Sequence, residues 1–512
     1  MAWHGICEEA SSSEESRAFI MPNPLLSRLA AALLTTLPLV SSACAAKAPE
    51  AAARNAWAIM ADRDVDFAIQ WFKGHSILAV YPDPAAFSRT LDKARRQAND
   101  DLRHVDSFEG YRQTLKHFFA VFDDAHAYVS IRLTQTSFKW PGFLANYQGH
   151  RFLVAQSEVA SLPDGTEITS CDGVPMADWA ERIAPYERII PGLGSTRARA
   201  APLIFRDADS PFVSRPVHCL IGGKTVELDW RSISSGEMTQ VTTRMQPKLD
   251  DGVSVSSFGD NGAWVRLGNF SPANRKQSDE FEALYKMAPA LRDKSVIVFD
   301  VRGNGGGPYE WFMGVLRSLY GPEDVDYYAR ARMQISPVYR ISKGKELDPA
   351  PPETGADAPS KAPLDGLPDD GSEDRLLDAA KARGASFIHL PNRHDVPRPS
   401  SAPASLVHAR VIVLTDYGCG SACIGFVDEL KRIPGVTQVG TETFVDSRTG
   451  TAVAARLPSG NGSISVPSMT RDGRERNDNE PQKPAMEFEG DIGDTAAAQA
   501  WVRDVVLAKP AR

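Results

Sequence analysis

Ser421 stands where a nucleophile would. It follows the apolar run Val411-Ile-Val-Leu-Thr415 and the tight turn Asp416-Tyr-Gly-Cys-Gly420, and a helical pattern starts at Ala422. Earlier in the chain, Ser295-Val-Ile-Val-Phe-Asp-Val-Arg-Gly-Asn-Gly-Gly-Gly307 runs from a buried strand into a glycine-rich loop. Strand ends are where open α/β sheets place their chemistry. A serine beside backbone N–H groups that can hold a developing oxyanion suggests acyl transfer. Blander readings exist for both segments: a serine at a helix start is often an N-cap, and a glycine run is often a flexible turn. No Gly-Lys-Ser/Thr follows Gly307, which argues against a nucleotide phosphate loop. Cys419 and Cys423 hold the flanking positions of the Gly-x-Ser-x-Gly elbow, so the α/β-hydrolase pattern is not met.

Such turns need a sheet beneath them. Residues 233–512 predict an α/β core, with strands over 264–267, 296–299 and 436–439 and helices over 279–291, 311–319, 422–432 and 497–507. The Pro-, Asp- and Gly-rich stretch 343–405 reads as an insertion or cover over the site, with one helical patch over 376–381. Residues 47–132 predict an N-terminal helical domain. Its helices span 51–79, 84–102 and 108–122; it ends at Asp123-Asp-Ala-His126, and a strand follows over 128–133. Residues 133–232 predict a β-rich module, with short strands over 152–155, 167–169 and 226–230. The fold class is therefore multidomain α/β.

At 512 residues the chain is too long for a single core. A net charge of −8 argues against a nucleic-acid surface. Residues 1–46 read as a lead plus an export signal: Arg28 precedes the apolar stretch from Leu29 to Val40, and small residues end at Ala43-Cys44-Ala45. The expectation is a periplasmic or secreted protein. Ser42-Ala43-Cys44 also allows a lipoprotein site that would hold the protein near a membrane, although Ser41 stands where an apolar residue is expected. Cleavage would leave Cys171, Cys219, Cys419 and Cys423, an even count that permits disulfides without assigning them. Cys419 and Cys423 read equally as a short bridge bracing the serine turn or as two buried thiols.

Taken together, these segments resemble the tail-specific (C-terminal processing) protease family, in its tricorn-like serine peptidase branch. The resemblance rests on four segments in the family's order: Asp124-Ala-His126, the β-rich module, Asp300-Val-Arg-Gly-Asn-Gly-Gly-Gly307, and the Ser421 turn followed by Val439-Gly-Thr-Glu-Thr-Phe444. It implies a PDZ-like module and a crotonase/ClpP-like catalytic core. It also implies Ser421 as nucleophile, His126 as general base, and the N–H groups of Ala422 and of Gly305 or Gly306 as the oxyanion hole. The family's Ser–Lys variant is not met, because Val445-Asp446 follows Thr443-Phe444; Lys431 is wrongly placed for a base. The acidic member of the triad falls on Asp478 or Glu480, in Arg474-Glu-Arg-Asn-Asp-Asn-Glu480. The implied substrate is a peptide or unfolded protein, and no metal or organic cofactor is implied. Two rivals stand beside this reading: a catalytically inactive binding relative, and an esterase-like acyl hydrolase using the same triad.

Overall fold

The computed structural model describes residues 55–132, 134–187, 189–328, 336–341, 372–390 and 401–509. The expected export signal and much of the insertion lie outside the described residues.

Three helices come first: α1 (Ala56–His75), α2 (Pro84–Asp101) and α3 (Phe108–Ala120). The side chains of Asn55, Asp83 and Ser107 accept hydrogen bonds from the opening N–H groups of these helices. Helix α1 stops short of the predicted end because Ser76 is extended and starts a separate 3-10 turn. Phe72, Leu91, Leu115 and Phe118 pack the three together, and Ile464 and Val466, from near the other end of the chain, complete this core. The helical region therefore does not close its own core. Strand β1 (Tyr128–Ile131) follows α3.

The β-rich module contains β2 (Ser137–Trp140), β3 (Leu144–Gln148), β4 (Arg151–Ala155), β5 (Glu167–Cys171) and β6 (Val174–Pro175). Helices α4 (Met176–Glu187) and α5 (Gly194–Ile204) come next, then β7 (His218–Ile221), β8 (Lys224–Glu227) and β9 (Arg231–Ser234). The order β3-β4-β5-β7-β8 forms a sheet. A Cys171–Cys219 disulfide joins its adjacent strands β5 and β7. The predicted strand over 226–230 is instead broken between β8 and β9. There the Leu228 N–H still donates to Val217 O (2.8 Å) and Trp230 Nε1 to Pro216 O (2.8 Å), and the chain then leaves the β7–β8 ladder for β9.

Helix α6 (Ser235–Met245), opened by a capping box between Ser234 and Glu237, leads into the core. There follow β10 (Val253–Phe258), β11 (Gly262–Leu267), α7 (Arg275–Met287), β12 (Val296–Asp300), α8 (Tyr309–Tyr320) and α9 (Pro322–Tyr328). Helix α7 starts earlier than predicted because Asn274 caps it, and Pro289 sits in the 3-10 turn that replaces its predicted end. Beyond lie β13 (Ser336–Arg340), α10 (Ser372–Ala382), β14 (Phe387–His389), β15 (Arg410–Thr415), α11 (Ala422–Arg432) and β16 (Val436–Gly440). The chain closes with β17 (Thr449–Arg456), β18 (Gly462–Asp472), β19 (Met486–Glu487) and α12 (Thr495–Trp501), the last continuing as a wider π turn to Val506.

The core sheet has the order β10-β11-β12-β15-β16-β19 and is parallel from β11 onward. Strands β11 and β12 are buried along their whole length, as expected for parallel strands covered on both faces. Phe281, Trp311, Phe312 and Phe426 cover one face, and Ala498, Val502 and Val506 the other. A second sheet, β1-β18-β13-β14 with β17 also on β18, ties the N-terminal region to the C-terminal third. Its β17–β18 hairpin is absent from the sequence reading. In the buried strand β18 the apolar alternation is confined to Ser463-Ile-Ser-Val466 and is interrupted by Pro467 and Ser468, so the strand signature is short. Part of the predicted insertion also joins this sheet, since β14 pairs with β13.

Candidate active site

Strands β12 and β15 are parallel neighbours, with Asp300 opposite Leu414, so their C-terminal turns lie side by side. The two turns are hydrogen-bonded to each other. Gly420 N–H donates to Asn304 O (3.0 Å). Asp416 Oδ1 accepts from Gly303 N–H (2.8 Å) and from Gly418 N–H (2.9 Å). Burial pushes the Asp416 carboxyl up, and those two amides work against the push. Asn304 also pins its own loop, donating to Leu267 O (3.0 Å) and accepting from Gly306 N–H (2.9 Å).

Below the turns, Asp300 and Arg302 form a fully buried ion pair (2.8 and 2.7 Å). Arg266 and Trp264 add donors to Asp300, and Arg302 reaches on to Ile492 O (2.7 Å) and Thr495 Oγ1 (3.0 Å). Burial alone would raise the Asp300 carboxyl, but the two arginines hold it below the usual carboxylate range. This pair anchors the base of the turn and does not line its surface.

Ser421 has φ +52° and ψ −121°, a strained backbone for a residue with a side chain, and it forms no cap hydrogen bond to α11. The N-cap explanation for this serine therefore fails. Its Oγ has no hydrogen-bond partner among the described residues. Gly306 lies against it: a Cβ there would sit 2.7 Å from Ser421 Cβ and 2.9 Å from Ala422 N. Glycine at 306 thus keeps the first N–H of α11 accessible, and that N–H has no partner within its helix. Of the two loop glycines expected to donate to an oxyanion, Gly306 already gives its N–H to Asn304. The Gly305 N–H carries no hydrogen bond among the described residues. A Cys419–Cys423 disulfide brackets the serine.

His126 lies between α3 and β1. Its Nδ1 faces Thr449 Oγ1 (3.2 Å), Ser447 Oγ (3.4 Å) and Asp124 Oδ1 (3.6 Å). Asp124 is buried and accepts from the His126 N–H (2.8 Å), the Ser447 hydroxyl (2.9 Å) and the Thr449 hydroxyl (2.7 Å). Burial would raise this carboxyl, yet its hydrogen bonds and the adjacent imidazole hold it below the usual range. With Asp124 accepting from both hydroxyls, and the two hydroxyls 2.7 Å apart, their oxygens can accept a proton from Nδ1. That arrangement suits the tautomer with the proton on Nδ1 and Nε2 as the basic nitrogen.

The acidic residues expected from the sequence lie elsewhere. Asp478 accepts from the N–H (2.5 Å) and Nε (3.0 Å) of Arg448, and Glu480 from the N–H (3.1 Å) and Nδ2 (3.0 Å) of Asn477. Neither is hydrogen-bonded to His126. The adjacent Asn479 instead reaches that region, donating to Asp123 O (2.7 Å). Lys431 binds Gln438 (3.3 Å) and Gln482 (2.5 Å). Sequence reasoning quoted Asp124 within Asp-x-His but gave it no role, and it missed Ser447 and Thr449 altogether. The spacing of Asp124 to His126 was the available signal, because an aspartate two residues before a histidine can reach that residue's own N–H.

One segment links the serine and the histidine. Phe444 N–H donates to Cys419 O (2.9 Å), and the chain then runs through Ser447 and Thr449 to Asp124. The β-rich module docks on the same segment. Gly194 N–H donates to Glu442 Oε1 (2.7 Å), and the Arg199 guanidinium lies 5.0 Å from the Phe444 ring centre.

Residues 261–471 match the model of peptidase family S41. Among solved structures, mature CPAF complexed with lactacystin aligns over 88% of this chain and 98% of its own, with TM-score 0.55 and 14% identity. Mature CPAF by itself aligns over 88% and 97%, with TM-score 0.54 and 14% identity. At that identity the likeness shows a shared fold. No curated protein matches the chain. The matched segment spans both proposed catalytic turns and most of the β17–β18 hairpin; over that core the chain is similar to peptidase family S41, which supports a serine-type peptidase acting on peptide or protein substrates.

Proposed function

We propose that the protein is an exported endopeptidase that works through an acyl-enzyme, with Ser421 as nucleophile, His126 as base and Asp124 as the carboxylate behind His126. The observation that carries this is the backbone of Ser421: strained, uncapped, and pressed against a glycine that keeps the first N–H of α11 accessible. Ser421 Oγ attacks the peptide carbonyl as His126 Nε2 takes its proton. The Ala422 and Gly305 N–H groups receive the oxyanion. His126 then returns the proton to the leaving amine, and water releases the acyl group from Ser421. Asp124, with the Ser447 and Thr449 hydroxyls, orients the imidazole and stabilises its protonated form. No hydrogen bond joins Ser421 to His126 among the described residues, and this reading requires the two to meet in the substrate complex, as catalytic hydrogen bonds are often long before that step. Export rests on the apolar stretch after Arg28, outside the described residues.

Labelling of the mature protein with a serine-reactive fluorophosphonate tests this. Label should enter the wild type and be lost in both Ser421→Ala and His126→Ala. A folded wild type that takes no label would replace this reading with that of an inactive binding relative.

A further inference from the structure

A cavity of about 310 Å³ opens between α3, β1, α4 and α5. Most of the charge on its wall is internally balanced. Arg112 and Lys116 each lie 2.5 Å from Glu187, Arg112 also pairs with Glu109 (2.5 Å), and Arg215 pairs with Asp207 (3.3 Å). Arg199 and Arg206 remain. Neither has a carboxylate at ion-pair distance among the described residues. Each guanidinium lies instead over an aromatic ring, Arg199 at 5.0 Å from Phe444 and Arg206 at 5.2 Å from Phe138. Arg199 is exposed at the mouth of the cavity and Arg206 is half-buried in its wall, where the charges of Glu187 and Glu109 favour the Arg206 cation. Two guanidiniums on the wall of one cavity, neither in an ion pair among the described residues, favour an anion, and their planar forks fit carboxylates best.

The cavity connects to the site through Phe444 and through β1. Phe444, beneath Arg199, is bonded through its N–H to Cys419, two residues before Ser421. Strand β1 begins two residues after His126 and ends its sheet, with β18 on one side only. Val129, Ser130 and Ile131 of β1 line the cavity. An extended peptide can add to such a free strand edge.

We propose that this cavity is a substrate subsite for acidic side chains, in which a peptide strand laid along β1 presents Asp or Glu carboxylates to Arg199 and Arg206. This deepens the peptidase reading and rests on it for the direction of the bound chain.

Binding is measured on full-length Ser421→Ala protein, so the result does not depend on whether Ser421 reacts. The probes are fluorescein-labelled Ala-Glu-Ala-Glu-Ala-Ala and its Gln-for-Glu counterpart, followed by fluorescence anisotropy. The Glu peptide should bind about tenfold more tightly at low salt, with the gap narrowing as salt rises. Arg199→Gln with Arg206→Gln should abolish the gap, and Arg199→Lys with Arg206→Lys should keep most of it. Arg199→Gln alone, a change on the open side of the cavity, should shrink the gap even if the double variant fails to fold. Equal affinity for the two peptides, no binding of either, or a gap that survives Arg199→Gln overturns the proposal. A clear Glu preference in a protein that takes no fluorophosphonate label would sink the catalytic reading and leave the subsite standing; label with no preference would do the reverse.

Discussion

The turn that carries Ser421 hangs from two adjacent parallel strands, β12 and β15, and is tied to its neighbour by backbone amides, Asn304 and Asp416. The turn that carries His126 has no such platform. It is fixed by the side chains of Ser447 and Thr449, 321 and 323 residues further along the chain, acting on His126 and on the buried Asp124. The proposed nucleophile is thus positioned by main-chain geometry inside the core sheet. The proposed base is positioned by side-chain chemistry at the seam where β1 meets β18. Main-chain ladders are rigid and tolerate changes of side chain, whereas a hydroxyl–carboxylate cluster fails one atom at a time.

That contrast can be broken at several points. Ser421→Ala and His126→Ala should each reduce peptide turnover by roughly 10⁶-fold, since each removes an atom that bonds or moves a proton; steady-state hydrolysis of an unfolded protein substrate reads this. Asp124→Asn should cost roughly 10⁴-fold in kcat, because an amide does not stabilise the imidazolium and can reverse the Nδ1 tautomer. Retention of near-wild-type turnover in Asp124→Asn, with loss in Asp478→Asn or Glu480→Gln, would return the orienting role to the later loop.

Arg302→Met should leave the buried Asp300 carboxylate with Arg266 as its remaining cationic partner and lower stability by about 3 kcal/mol, seen as a lower urea midpoint. The matching change at the His126 seam, Thr449→Val, should cost far less stability, about 1–2 kcal/mol, and show itself mainly in kcat. If the two stability effects prove equal, the distinction between a main-chain and a side-chain platform does not hold. Gly306→Ala should reduce kcat by roughly 10²-fold, because the added methyl would press on Ser421 Cβ and cover Ala422 N.

The pH dependence sharpens the same comparison. The Asp124 carboxyl is depressed in the folded protein, so its stabilisation is whole above the unfolded value of about 3.9 and is lost as pH falls through the lower folded value. The urea midpoint of the wild type should therefore fall more steeply than that of Asp124→Asn on acidification below about pH 4. Parallel curves would show that the Ser447–Thr449–Asp124 cluster adds no stability.

Much of this was legible in the residue order. The strands under both catalytic turns, the helix after Ser421 and the glycine loop are local patterns, and local patterns survive without a structure. The acidic partner was not legible. Asp478 and Glu480 were placed by counting along a motif, while Asp124 is matched to His126 by hydroxyls more than three hundred residues away in the sequence. The β17–β18 hairpin that supplies Thr449 pairs a half-exposed, Ala-rich strand with a buried one that alternates only over Ser463-Ile-Ser-Val466 before Pro467 breaks the pattern, so little announces it.

The sequence by itself determined where the peptidase core lies and which serine stands at its strand end, because buried parallel strands and glycine turns are written in consecutive residues. Only the tertiary structure decided which carboxylate lies beside His126, which loop N–H is unbonded among the described residues, and that Arg199 and Arg206 line one cavity without an ion-pair partner there. These depend on burial and on hydrogen bonds between distant segments, which are properties of the folded chain and of no single stretch of it.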